Sequence, residues 1–138
     1  HMQLHTLHVS RNKLITNEGI QHMRHSLRIL HADSSCKITD EGIKGMNLTE
    51  FDASFNNNIT DEGIKNMYLT ELNASSNSGI TNKGIQHMRR SLRILSAAFN
   101  YSITDEGLKN MYLTGLYATG NYNITKKGIN HMTNLRFF

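Results

Sequence analysis

Leu48-Thr49-Glu50-Phe51-Asp52-Ala53-Ser54-Phe55-Asn56-Asn57-Asn58-Ile59-Thr60-Asp61-Glu62-Gly63-Ile64-Lys65-Asn66-Met67 decides the fold, because this block of about 21 residues recurs almost from end to end. Its Ile-Thr pair returns at Ile15-Thr16, Ile38-Thr39, Ile59-Thr60, Ile80-Thr81, Ile103-Thr104 and Ile124-Thr125, at spacings of 23, 21, 21, 23 and 21. Three residues beyond each Thr stands a glycine (Gly19, Gly42, Gly63, Gly84, Gly107, Gly128), and four beyond that a methionine (Met23, Met46, Met67, Met88, Met111, Met132). A fixed period in this range marks a solenoid, whose units cannot fold alone and bury a continuous core by stacking.

Outward from the Ile anchor the units align without gaps. Eleven positions before it sit Leu4, Leu27, Leu48, Leu69, Leu92 and Leu113; eight before it, Leu7, Leu30, Phe51, Leu72, Leu95 and Leu116; six before it, Val9, Ala32, Ala53, Ala74, Ala97 and Ala118. Alternating apolar residues predict a short parallel strand with these side chains inward. Three before the anchor comes a column of Asn12, Asn56, Asn77, Asn100 and Asn121, with Ser35 in the second unit. An amide there can donate to and accept from main-chain groups where the chain leaves the strand. The Ser35 rung is expected to be weaker, and Cys36 reads as a small buried thiol or as a ladder residue slipped by one. The back of each coil is expected to start with Thr as N-cap and to carry acids in its first turn, as in Asp61-Glu62. Ile64 and Met67 then face inward over one helical turn. The glycines serve either close packing or an unusual backbone angle. Lys83 falls between Glu62 and Glu106 of neighbouring coils, where it would relieve a column of like charge.

This pattern resembles the leucine-rich repeat, closest to the cysteine-containing class whose consensus reads I-T-D-x-G-L after Asn or Cys. Ala at the second inward position, Met at the last core position and shorter units depart from that class. The resemblance covers roughly residues 4–138. It implies an α/β horseshoe of about six coils, with a parallel sheet on the concave face and short helical turns on the convex face. Repeats start near 4, 27, 48, 69, 92 and 113, with a partial one from 135. It also implies a protein-protein interaction role, with the substrate-recognition arm of a ubiquitin ligase as one alternative.

Length leaves room for a single domain, residues 3–138, after His1-Met2, which read as a cloning remnant. The charge of +4 is spread over the repeats, which gives no pointer to nucleic acid. No apolar run approaches a membrane span. The single cysteine, Cys36, excludes an internal disulfide framework and favours a cytoplasmic protein, or the host cytoplasm for a pathogen or viral effector. Residues Gly19 to Leu30 return as Gly84 to Leu95, 65 positions later, with only His25 replaced by Arg90; a block of three coils has been duplicated.

Little in the sequence points to catalysis. His22, His87 and His131 share a slot on the back of coils that are not adjacent. His8 and His31 occupy the central outward strand position of adjacent coils, so their rings could stack near Asp33. Two His and one Asp could bind zinc, but no closed-site spacing accompanies them, and neither metal nor cofactor is expected. The clusters Arg24/His25/Arg28 and Arg89/Arg90/Arg93 lie three coils apart, unlike a nucleic-acid stripe.

The face left for a partner has a central outward column of His8, His31, Asp52, Asn73, Ser96 and Tyr117, with Phe55 and Phe99 near its rim. Aromatic residues on a polar field concentrate interface energy, yet Phe55 and Phe99 could equally fold over the coil edge and bury. A solenoid needs polar terminal caps. None is recognisable: Leu4 already opens a repeat and Leu135-Arg136-Phe137-Phe138 begins a seventh strand. Pairing of such ends into a homo-oligomer is therefore a physical expectation. The sequence reads as a non-catalytic module binding an unknown protein partner through its sheet, with a self-assembling structural repeat as the alternative.

Overall fold

The structure, a computed structural model, describes residues 3–34, 36–77 and 79–138. Six three-residue strands form one open parallel sheet in chain order: β1 (Thr6–His8), β2 (Ile29–His31), β3 (Glu50–Asp52), β4 (Glu71–Asn73), β5 (Ile94–Ser96) and β6 (Gly115–Tyr117). The register follows the repeat, with Leu7, Leu30, Phe51, Leu72, Leu95 and Leu116 aligned as partners. Return segments on the back carry α1 (Asn17–Gln21), α2 (Asp40–Ile43), α3 (Asp61–Ile64), α4 (Asn82–Gln86), a 3-10 turn (Asp105–Leu108) and α5 (Lys126–Ile129). These are single turns. They persist because their Ile or Leu and Met side chains are buried in the shared core, not through helical propensity.

One core runs through all coils. Leu30, Ala32, Ile38, Ile59, Ile80, Leu95 and Ile103 are fully buried. Leu7, Ile15 and Met23 of the first coil, which has a neighbour on one side only, are partly buried. The expected seventh strand is a pair of rungs instead: Arg136 N–H donates to Thr114 O at 2.9 Å and Leu116 N–H to Phe137 O at 3.2 Å.

Two side-chain ladders tie the coils together. In the first, the Asn100 amide donates to the carbonyls of Ala74 (2.8 Å), Asn77 (2.6 Å) and Ile80 (3.1 Å), while its oxygen accepts from Ser102 N–H. Asn56, Asn77 and Asn121 repeat the contact. Asn12 only accepts, from Leu14 and Ile15 N–H. The Ser35 rung lies outside the described residues. Cys36 is buried, and its thiol donates to Ala32 O at 3.1 Å and accepts from the Asn56 amide at 3.5 Å, so it also takes a place beside the ladder.

The second ladder was not read from the sequence. Asp61 Oδ1 accepts Thr81 N–H at 2.8 Å and its Oδ2 accepts the Thr81 hydroxyl at 2.5 Å. Asp40 holds Thr60 and Asp105 holds Thr125 in the same way. Where Asn stands instead, at 17 and 82, its amide reverses the second bond and donates to Thr39 or Thr104 Oγ1. The first-turn residue thus reaches the next coil. Thr39, Thr60, Thr81 and Thr104 do cap their turns, accepting from the N–H two residues on. Thr16 and Thr125 make no such bond. Glu62 is paired mainly within its own coil, by Lys65 at 2.8 Å, which holds its carboxyl below the ordinary range; Lys83 adds only a weaker attraction.

The duplicated block has a local logic. Arg28 Nη1 donates to Leu27 O and His25 O, and Arg93 donates to Leu92 O and Arg90 O, so each arginine closes the longer loop of its 23-residue coil. Gln21 and Gln86 bond carbonyls of the next coil's turn, Gly42 with Lys44 and Gly107 with Lys109.

Candidate functional site

Strands β2 to β5 bury the central residue and turn the flanking residues outward, in the burial order intermediate, buried, intermediate. The central outward column is therefore as expected: His8, His31, Asp52, Asn73, Ser96 and Tyr117 are register partners from coil to coil. A second outward column, two residues earlier, escaped the sequence reading. It runs Thr6, Ile29, Glu50, Glu71, Ile94 and Gly115. The signal was present, since side chains two apart on a strand share a face.

The two columns border a depression of about 290 Å³ on the sheet face, lined by His31, Glu50, Asp52, Glu71, Asn73, Ile94, Ser96 and Tyr117. His8 stacks on His31 beside it, with ring centroids 4.2 Å apart and planes at 22°. Asp52 Oδ1 is held by Ser54, through N–H at 3.0 Å and hydroxyl at 2.7 Å, leaving Oδ2 3.8 Å from His31 Nδ1. Asp33 accepts from the Ser10 and Ser34 hydroxyls. His31, Asp33 and Asp52 each offer one ligand-type atom within 4.8 Å of the others, a donor set of the kind that holds a divalent cation. Asp52 takes the place that the sequence reading gave to His8.

At the far end the face is apolar. Phe137 lies over Gly115, where a Cβ would strike its ring, and packs on Tyr117 with centroids 4.5 Å apart. Glycine replaces the Glu or Ile of earlier coils there because the ring occupies the space.

Phe55 and Phe99 do not line the depression. Each stands in the turn that follows its strand, and both are exposed, at 64% and 52%. That turn closes by a bond from the Asn N–H to the carbonyl three residues back, as from Asn56 to Ala53 and Asn100 to Ala97. Its third residue has positive φ in each coil: Arg11 (59°), Ser34 (52°), Phe55 (58°), Ser76 (52°), Phe99 (55°) and Gly120 (71°). This is the type II pattern, which favours Gly or Asn at that place. A bulky aromatic there is strained. Phe99 partly offsets this by laying its ring over Gly120.

Comparison with known proteins fits this geometry. A family model described as Leucine Rich repeat matches residues 2–22, 46–67 and 65–87. No curated protein matches the chain. Among solved structures, a chain in the crystal structure of the Rad7 and Elc1 complex in yeast is similar, with a TM-score of 0.59 and 15% identity. The match covers 90% of this chain and 44% of that one, so this chain spans under half of its length. Among the described residues no helix is long and apolar enough to cross a membrane. With six register-matched coils, a shared core and an asparagine ladder, the chain has the leucine-rich-repeat solenoid fold.

Proposed function

We propose that this is a non-catalytic interaction module whose sheet face binds a protein partner, centred on His31, Asp52, Asn73 and Ser96, with Phe55 as an exposed anchor at the rim. One contrast carries the reading. The asparagine and aspartate ladder side chains are used in bonds to neighbouring coils, whereas among the described residues the side chains of Glu50, Glu71 and Ser96 on the sheet face have no hydrogen bond or ion pair. Outward polar groups left free on a rigid, register-locked surface suit recognition. That the similar chain comes from a two-protein complex agrees with the reading. A cytoplasmic setting is part of the proposal and rests on the single, buried Cys36, which leaves the chain without an internal disulfide.

The test is a photo-crosslinking residue placed at Ser96 or, on the back, at Lys127. Cross-links to a discrete partner protein from Ser96 alone support the sheet face. Cross-links only between copies, with a mass by light scattering that climbs with concentration, would replace this reading with a self-assembling repeat.

A further inference from the structure

Three carboxylates, Glu50, Asp52 and Glu71, stand in the two outward columns of coils three and four with Asp33 beside them in coil two, and no Lys or Arg shares those columns. The chain as a whole carries 15 Lys and Arg against 11 Asp and Glu, so this face opposes the net charge of its own molecule. Glu50 and Glu71 are register partners on adjacent strands. Like charges placed directly opposite in a sheet repel. On the back Glu62 and Glu106 each have a lysine at 2.8 Å, and the unpaired acids Glu18 and Glu41 are exposed; among the described residues the side chains of Glu50 and Glu71 have neither an ion pair nor a hydrogen bond, although both are half-buried. Beside this pair, in the same depression, lie Ile94 and Tyr117.

We infer that the occupant of this face is an extended, arginine-containing protein segment. A guanidinium sits between Glu50 and Glu71, and an apolar residue two positions along, on the same face of the extended segment, packs on Ile94 and Tyr117. The inference rests on the sheet-face reading above. Arginine fits better than lysine because its planar fork meets two carboxylates at once. The strands run perpendicular to the row of depression-lining residues, so a segment lying across β3, β4 and β5 meets acid, acid and apolar group in turn at spacings of about 4.8 Å. Asp52, anchored by Ser54, extends the acidic end toward His31 and admits a second cation.

The experiment pans a random dodecapeptide phage library against the whole chain in the presence of EDTA. Enriched peptides are then titrated as fluorescein conjugates by anisotropy. The variants are E50Q/E71Q, E41Q/E62Q as a control of equal charge change on the back, and Ser96→Trp to block the sheet. The expected result is Arg-rich peptides with an apolar residue two positions along that lose at least tenfold in affinity in E50Q/E71Q and on Ser96→Trp, stay within twofold in E41Q/E62Q, and weaken when Arg becomes Lys. Peptides without basic residues that Ser96→Trp still blocks would overturn the arginine inference and leave the sheet-face reading standing. Binders indifferent to Ser96→Trp, or no binder at all, would overturn both. Equal losses in the two glutamine variants would show unspecific charge attraction and overturn the inference.

Discussion

A Cβ on Gly63 would stand 2.8 Å from Cγ of Asp40 and collide with its Oδ1, the oxygen that accepts Thr60 N–H. The glycine of one coil is therefore the seat of the preceding coil's ladder residue. Gly42, Gly84, Gly107 and Gly128 meet Asn17, Asp61, Asn82 and Asp105 in the same way. None of these glycines has positive φ, so close packing rather than backbone angle explains the column.

Gly63→Ala should accordingly destabilise by about 1–3 kcal/mol, the usual cost of forcing an atom into a packed site. Asp40 is pinned by two bonds to Thr60 and cannot move aside without loss. Gly19 is the internal control, because its nearest neighbours are 4.0 Å away. Gly19→Ala should be neutral or stabilise by up to about 1 kcal/mol. Urea denaturation of the two variants decides; equal effects would reject the seat.

Asn100→Ala removes the amide shared by three buried carbonyls and the acceptor of Ser102 N–H. Leaving such groups unpaired costs about 1–3 kcal/mol each before relaxation, so a loss of about 3 kcal/mol or more is expected. Asn12→Ala loses only two accepted bonds in a partly exposed turn and should cost about 1 kcal/mol. The difference in urea midpoint measures the ladder.

Phe55 stands 64% exposed at φ 58°. Phe55→Gly should raise stability by about 0.5–1 kcal/mol, since glycine adopts this conformation without steric cost. Phe99→Gly should gain less, because the ring also covers Gly120. The same Phe55→Gly protein is expected to cross-link less partner from Ser96. Gained stability with lost binding is what a strained residue kept for recognition produces.

Burial pushes the Cys36 thiol above its ordinary pKa. A thiol-disulfide reagent should therefore label it slowly in the folded chain, faster as urea opens the coils. The sign of the pH effect follows. The raised folded value means that its stabilising contribution is complete below the ordinary thiol range and is lost as pH rises through the folded value. Cys36→Ala should flatten the alkaline fall in stability measured by urea midpoints, and an unchanged slope would exclude the thiol as its cause.

Much was legible because a solenoid repeats its physics. The inward Leu and Ala columns, the asparagine ladder and the His8–His31 stack follow from counting along one unit, since register in such a sheet is set by the period. The glutamates at 50 and 71 were equally countable and were missed because attention stayed on one of two outward columns. Phe55 and Phe99 were left undecided for a better reason: whether a rim aromatic buries depends on the turn's backbone, and nothing in their identity announces positive φ.

The sequence by itself thus determined the coil, the order of the strands and which side chains face inward, because those depend on local periodicity that every unit restates. Only the tertiary structure decided what adjacent coils do to each other. Asp40 seats against Gly63, and Phe137 claims the space over Gly115. Each of these depends on distances across coils, which spacing along the chain does not contain.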